Sequence, residues 1–93
     1  MNVASTLTVM IVDDETLARV RLRDLLADIA AEVPNEVIAE AANGQLAVEA
    51  LKERLPDVML LDIRMPKMDG IELARHVSRL EKPPAIVFVT AYD

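Results

Sequence analysis

The chain has 93 residues, which allows one domain and excludes a second, since a single core typically occupies about 100 to 150 residues. Hydrophobic residues make up 53% and charged residues 28%, which is the balance of a globular chain and not of a disordered one. The net charge of -6 and the scarcity of aromatic residues argue against a nucleic-acid surface, and no apolar run approaches the length of a membrane span.

The first half of the chain alternates strand and helix patterns. After a lead-in of residues 1–6, the apolar run of residues 7–12 predicts a strand buried on both faces. From position 15 to position 33, apolar residues recur at helical spacing, which predicts an amphipathic helix ended by Pro34-Asn35. Residues 36–41 predict a second strand, and Asn43-Gly44 predicts a turn that caps the next helix, with Leu46, Ala47, Ala50, Leu51 and Leu55 inward.

The second half repeats this alternation. Residues 58–61 predict a third strand that ends at Asp62. A loop through Gly70 leads into a helix with Ile71, Ala74 and Val77 on one face, and residues 85–89 predict a fourth strand. Strands that alternate with helices at this spacing require a parallel sheet, because each crossover helix returns the chain to the same end. The sequence therefore predicts the α/β class, with residues 7–93 as its domain.

Reactive oxygens follow three of the four predicted strands. Asp13 and Asp14 follow the first, Asp62 ends the third and Thr90 follows the fourth. Ligands of open parallel sheets bind at the carboxyl ends of the strands, and carboxylates that converge there repel one another unless a cation lies between them. Mg²⁺ prefers such hard oxygen ligands. The pattern predicts a magnesium site with an aspartate nucleophile beside it.

Other interpretations apply to some of these residues taken alone. An acidic pair such as Asp13-Asp14 more often caps a helix, and only its combination with Asp62 and Thr90 favours a functional site. The charged cluster on the first helix is interpreted as a solvated face with ion pairs; it comprises Arg19, Arg21, Arg23 and Asp24. The absence of cysteine excludes disulfides and thiolate metal sites and fits the cytoplasm.

Together these motifs resemble the receiver domain of two-component response regulators. The resemblance is carried by Ile11-Val12-Asp13-Asp14-Glu15, Leu60-Leu61-Asp62-Ile63-Arg64-Met65-Pro66, Gly70 and Val87-Phe88-Val89-Thr90-Ala91. Thr16-Leu17-Ala18-Arg19 and Val89-Thr90-Ala91-Tyr92-Asp93 are similar to the LytTR (LytR and AlgR) branch. The resemblance implies a flavodoxin-like doubly wound parallel sheet, here with only four strands and three helices.

The resemblance also implies a role for each site residue. Asp62 would accept a phosphoryl group from a sensor histidine kinase, and Thr90 would contact a phosphoryl oxygen. Asp14 would bind Mg²⁺ directly, Asp13 would bind it through water, and the Arg64 backbone carbonyl would add a ligand. The module would not be an enzyme. In the full-length protein it would be cytoplasmic and would control a DNA-binding output domain that this chain lacks.

Receivers of this kind place a lysine at the end of a fifth strand, which would lie beyond position 93. Two alternatives therefore stay open. The first is an interaction fragment that forms a homodimer or larger assembly through the exposed fourth strand without phosphotransfer. The second is a phosphatase of the haloacid-dehalogenase type, which would need a general acid two residues after the nucleophile, where Arg64 stands.

Overall fold

Four strands and three helices alternate along the computed structural model, which describes residues 6–65 and 70–89. The strands are β1 (Leu7–Val12), β2 (Asn35–Ala41), β3 (Val58–Asp62) and β4 (Ala85–Val89). The helices are α1 (Thr16–Asp28), α2 (Gly44–Glu53) and α3 (Gly70–Ser78). In the two described ranges, no helix combines the length and the apolar character needed to cross a membrane. The predicted α/β fold is confirmed.

The strands form one parallel sheet in the order β2-β1-β3-β4. The chain moves from β1 to β2 in one direction and then returns across β1 to β3 and β4. Because crossovers between parallel strands are right-handed, this reversal places α1 on one face of the sheet and α2 and α3 on the other. The reversal also makes β1 and β3 neighbours, so their carboxyl ends lie side by side.

The hydrophobic core fills the space between the sheet and helices α2 and α3. Alternate residues of β1 and β3 point into it, because side chains alternate between the two faces of a strand. The core consists of Met10, Val12, Ala41, Ala47, Leu51, Met59, Leu61, Met65, Leu73 and Val77. This layer holds the carboxyl ends of the two central strands, β1 and β3, in place.

Helix α1 is shorter and less buried than its apolar pattern predicts. It ends at Asp28 and not at Val33, and none of its residues is buried. Residues 29–33 form successive turns instead. The Asn35 side chain donates to the backbone carbonyls of Leu26 and Val33, at 2.8 and 2.9 Å, and so satisfies one of the unpaired carbonyls at the helix end.

Helices α2 and α3 bury some of the residues that the periodicity predicts and expose others. Ala47, Leu51 and Val77 are buried as predicted, whereas Leu55 is exposed. In α2, Asn43 caps the helix as predicted, since its side chain accepts a hydrogen bond from the Leu46 N–H at 2.8 Å. Leu46 itself is exposed. In α3, Leu73 is fully buried, whereas Ile71 points to solvent. Apolar spacing gives the period of each helix, but it does not show which residues of the apolar face contact the sheet.

Thr8 and Asp57 join β1 to the start of β3 at the amino end of the sheet. The Asp57 carboxylate accepts from the Thr8 backbone N–H at 2.9 Å and from the Thr8 hydroxyl at 3.0 Å. In return, the Asp57 N–H donates to the Thr8 hydroxyl oxygen at 2.9 Å. The backbone N–H bond, followed by the hydroxyl bond, holds the pKa of Asp57 below its ordinary value.

This lowered pKa predicts a pH dependence of stability. The charged carboxylate is favoured in the folded state, so its contribution is complete above the ordinary carboxyl pKa of 3.8 and is lost as the pH falls through the lowered folded value. We expect the Asp57→Asn variant to unfold more easily than the unaltered chain at neutral pH, with the difference shrinking in acid. Denaturant unfolding at a series of pH values measures this difference in the free energy of unfolding. Thr8→Val removes the hydroxyl bond and keeps the backbone N–H bond, so it should lower the pH-dependent part of the stability by less than Asp57→Asn does. A difference between Asp57→Asn and the unaltered chain that stays constant into strong acid would contradict the assignment.

Candidate functional site

Three carboxylates meet at the carboxyl end of the sheet. The parallel register pairs Val12 with Leu61, so Asp13 and Asp62 follow from adjacent strand ends. The side chains of Asp13, Asp14 and Asp62 each offer a carboxylate oxygen, and these oxygens all lie within 4.8 Å of one another. The predicted acidic cluster is therefore present in the fold.

Asp13 is held in place from two directions. Its backbone N–H donates to the Ala41 carbonyl at 3.0 Å, which extends the pairing of β1 with β2 by one residue. One carboxylate oxygen accepts from the Glu15 N–H at 2.9 Å, which closes a tight turn before α1. Asp13 is buried, whereas the next residue, Asp14, is exposed. The turn thus directs one carboxylate inward and leaves its neighbour at the surface.

Asp62 lies at the end of β3 and is half-buried. One of its oxygens accepts from the Arg64 N–H at 3.2 Å, so the loop after the strand orients the carboxylate. Gly70, the first residue of α3, donates its N–H to the Ile63 carbonyl at 2.9 Å. A Cβ atom at position 70 would clash with the Asp62 carbonyl oxygen and lie 2.9 Å from the Ile63 Cα, so only glycine permits this approach.

The electrostatics of the cluster are unfavourable without a counter-charge. Burial, the largest cause, raises the pKa of Asp13, and the nearby Asp62, Asp14 and Glu15 carboxylates raise it further, against the lowering effect of the Glu15 N–H. Among the described residues, folding therefore brings three carboxylates together without an ion pair between any of them and a cationic side chain. A bound cation would remove this repulsion.

The donor set fits a hard divalent cation. Each of the three residues supplies carboxylate oxygen, and the described residues bring no sulfur or imidazole ligand into the cluster. One or two carboxylates, with water and substrate phosphate oxygens completing the shell, are the arrangement that Mg²⁺ prefers. The chemistry of the donors therefore supports Mg²⁺ in preference to zinc or copper.

The structure brings some of the predicted site residues together and leaves others untested. Asp13, Asp14 and Asp62 converge as predicted. Arg64 lies beside Asp62 and contacts it through its backbone N–H, while its carbonyl stays a predicted metal ligand. Thr90 lies outside the described residues, so its contact with a phosphoryl oxygen stays a prediction as well.

Sequence reasoning missed the role of Arg19 at this site. The sequence pattern favours a solvated face for the arginine cluster of α1, and Arg23 fits that interpretation, with a side chain that is 52% exposed. Arg19 is different, because its guanidinium donates to the Asp13 carbonyl at 2.6 Å and also pairs with Glu40. No local pattern signals this, because Glu40 lies on β2, far along the chain.

Comparison with known proteins gives consistent matches. Residues 9–93 match the family model of the response regulator receiver domain. An uncharacterized response regulatory protein of Vibrio cholerae is 50% identical over 95% of this chain and 33% of its own length. The sensory transduction protein LytT of Bacillus cereus is 45% identical over 94% of this chain and 34% of its own length. The chain thus spans about a third of these curated relatives.

A solved structure agrees with these sequence matches. The crystal structure of the response regulatory domain of protein mrkE from Klebsiella pneumoniae superposes with a TM-score of 0.81 at 33% identity. The match covers 91% of this chain and 67% of that chain. Sequence and fold therefore lead to the same family.

Proposed function

Because this chain belongs to the response regulator receiver domain family, with LytT-type regulators among its relatives, we propose that Asp62 is its phosphoacceptor and that a sensor histidine kinase is the phosphodonor. In this proposal the chain is a regulatory module and not an enzyme. Its signal is the presence or absence of one phosphoryl group at the carboxyl end of β3.

The proposal depends on one observation above all, the convergence of Asp13, Asp14 and Asp62 within 4.8 Å. A carboxylate is a weak nucleophile towards a phosphoryl group that is itself negative, so the reaction requires neutralisation of charge at the point of attack. Asp13 and Asp14 would hold Mg²⁺ there, together with Asp62 and the Arg64 backbone carbonyl. When bound, Mg²⁺ supplies the positive charge that brings nucleophile and phosphoryl oxygens together.

The residues of this chain have distinct tasks in the transfer. A carboxylate oxygen of Asp62 attacks the phosphorus, and an O–P bond forms as the N–P bond to the donor histidine breaks. The electron pair of that bond returns to the imidazole nitrogen of the donor. The Arg64 N–H bond at 3.2 Å orients Asp62 for the attack. We propose that Thr90 contacts a phosphoryl oxygen of the product.

The phosphatase alternative is less well supported. A phosphatase of the haloacid-dehalogenase type needs a carboxylic acid two residues after the nucleophile, to protonate the leaving group. In this chain that position is Arg64, which is exposed and cannot act as a general acid. The receiver family match over residues 9–93 favours the phosphoacceptor instead.

The direct test is intact mass spectrometry after incubation with acetyl phosphate and Mg²⁺. We expect one phosphoryl adduct, which forms only when Mg²⁺ is present and does not form after chelation. The carboxylates of the site are negative, so without the metal they cannot neutralise the charge of the phosphoryl group. Free phosphate is measured in parallel. Rapid catalytic release of phosphate without a stable adduct would support the phosphatase instead.

The wider context of this module is also a proposal. The relatives extend well beyond the matched segment, and the LytT relative is named as a sensory transduction protein. We propose that the full-length protein is cytoplasmic and couples this receiver to a DNA-binding output domain. DNA contact would come from that domain, since this chain carries a net charge of -6.

For the 93-residue chain alone, we propose self-association through β4. In the described part of the chain, β4 pairs only with β3, and its Val87 and Phe88 side chains are 48% and 40% exposed. An apolar strand with an unpaired edge is a template for another chain, and burial of apolar surface contributes about 25 cal/mol per Å². A second copy of the same strand would provide hydrogen-bond partners for the unpaired backbone groups and would cover part of the exposed apolar side chains.

Self-association is tested by sedimentation over a range of protein concentrations. We expect dimers or larger species for the unaltered chain and a shift towards monomer for Val87→Lys, because a lysine on the edge strand opposes pairing. Leu17→Lys is the matched control. Leu17 is 70% exposed on α1, which packs mainly on β1 and β2, so this change should leave the assembly intact. A monomeric unaltered chain that unfolds cooperatively would refute the proposal.

A further inference from the structure

We propose that Arg19 is a positioning residue for the acidic site, which clamps the turn carrying Asp13 and Asp14 so that their carboxylates are preorganised for a divalent cation. The inference rests on the proposed function, because it concerns the same metal site. It adds a residue outside the carboxylate cluster, on α1, and an anchor for that residue on β2.

The contacts of Arg19 show how the clamp is built. Its Nη1 donates to the Asp13 carbonyl oxygen at 2.6 Å, and its Nη2 donates to the Thr16 hydroxyl at 3.3 Å. Its Nε lies 3.3 Å from a Glu40 carboxylate oxygen. Three nitrogens of one planar guanidinium thus contact the turn, the start of α1 and the edge strand β2. Only arginine has donors in a rigid fork of this kind.

The turn is held through both peptide groups that flank the Asp13 Cα. The Asp13 N–H is bound to the Ala41 carbonyl at 3.0 Å, and the Asp13 carbonyl is bound to Arg19. Glu40 and Ala41 are consecutive on β2, so the same strand provides the partner of the N–H and the anchor of the arginine. With its backbone fixed at both groups, the turn has little freedom to move the two side chains apart.

Arg23 provides a comparison inside the same helix. It lies one turn further along α1 and binds the same glutamate, with its Nη1 at 2.5 Å from a Glu40 oxygen. Within the described residues its hydrogen bond goes to Glu40 and not to the Asp13 turn, and its side chain is 52% exposed against 17% for Arg19. Arg19 and Arg23 therefore share a charge and a partner but differ in contact with the site.

Coulomb's law and the clamp predict opposite signs for the loss of Arg19. A positive side chain near a cation site repels the cation, so its removal should strengthen binding if charge alone matters. Removal of a clamp should weaken binding, because the carboxylates must be ordered when the cation arrives. Groups that orient metal ligands typically contribute about 10- to 100-fold in affinity. The sign of the change therefore separates the two effects.

The experiment compares Arg19→Gln with Arg23→Gln in the whole chain, with Mg²⁺ alone as the probe. Calorimetric titration should show at least about tenfold weaker Mg²⁺ binding for Arg19→Gln. Arg23→Gln should bind Mg²⁺ as tightly as the unaltered chain, or slightly more tightly. Circular dichroism at the titration temperature verifies that both variants are folded.

A second readout needs no metal. The Glu15 N–H donates to the Asp13 carboxylate at 2.9 Å, so its hydrogen exchange reports the order of the turn. Exchange at Glu15 in metal-free protein should accelerate in Arg19→Gln and not in Arg23→Gln. Unchanged exchange, or Mg²⁺ affinity equal to or above that of the unaltered chain, overturns the clamp. Failure of the unaltered chain to bind Mg²⁺ would overturn the metal site of the proposed function along with it.

Discussion

The Asp62→Asn variant is expected to take up no phosphoryl group from acetyl phosphate in the presence of Mg²⁺, while the unaltered chain forms one adduct. An amide has nearly the shape of a carboxylate but no anionic oxygen, so it cannot attack phosphorus. The carbonyl oxygen of the introduced amide can still accept from the Arg64 N–H, so the loop after β3 should keep its geometry. The substitution thus removes the nucleophilic oxygen and one charged ligand of the proposed metal site, and leaves the loop in place.

Asp57→Asn is the matched control for this experiment. Asp57 immediately precedes β3, whereas Asp62 is its last residue, so the two aspartates lie at opposite ends of the same strand. The Asp57 variant should be less stable but should still accept the phosphoryl group at neutral pH. Intact mass and peptide mapping of the adduct measure both variants. Equal modification of the Asp62→Asn variant and the unaltered chain would remove Asp62 from its proposed role.

The second large effect is expected for Asp14→Ala, which should weaken Mg²⁺ binding by at least about tenfold. The reason is the loss of an oxygen ligand, since Asp14 contributes one of the three converging carboxylates. Asp14 is exposed, so its truncation opens no cavity in the core and should change the free energy of unfolding little. The effect on the metal and the effect on the fold are therefore separable.

Glu15→Ala controls for charge in this titration. Glu15 is also exposed and carries the same charge next to Asp14, but it does not belong to the converging cluster. Both variants weaken the negative potential at the site, and only Asp14→Ala removes a ligand. Calorimetry with Mg²⁺ should show a small loss for Glu15→Ala and a much larger one for Asp14→Ala. Equal affinities of the unaltered chain and Asp14→Ala would contradict the assignment of Asp14.

The two variants examine different parts of one site. Loss of Asp62 should abolish the adduct even where some Mg²⁺ affinity persists through Asp13 and Asp14. Loss of Asp14 should reduce the adduct through the metal, so high Mg²⁺ concentrations should restore part of it. If high Mg²⁺ concentrations restore part of the adduct in Asp14→Ala and none in Asp62→Asn, then Asp14 acts as a metal ligand and Asp62 as the nucleophile.

Local patterns were sufficient to predict the architecture and the acidic cluster. Short runs of four to six residues located the strands, with the second one, residues 36–41, interrupted by two glutamates. The predicted ends agree with the structure to within one residue. Strands that alternate with helices imply a parallel sheet, and in a parallel sheet the carboxyl ends of all strands lie on the same side. Asp13, Asp14 and Asp62 could therefore be assigned to the same end of the sheet from local information. Their convergence also requires β1 and β3 to be neighbours, which the strand order of the folded sheet provides.

Contacts between distant segments determined the remaining features. The apolar stripe of α1 predicts a helix as far as Val33, but its outer residues have no second layer to pack against in the described part of the chain, and α1 ends at Asp28. Leu73 and Ile71 are equally apolar, and only the approach of α3 to the sheet buries the first and exposes the second. A hydrophobic pattern gives the period of an element and leaves open which face meets a partner.

The same limit applies to the polar contacts around the site. Arg19 resembles Arg21 and Arg23 in the sequence, and its contact with the Asp13 carbonyl depends on the path of the turn between β1 and α1. Glu40 becomes its anchor because β2 lies beside β1, and Thr8 meets Asp57 across 49 positions for a similar reason. Hydrogen bonds require donor and acceptor within about 3 Å, and the strand order of the folded sheet alone establishes such distances between residues far apart in the chain.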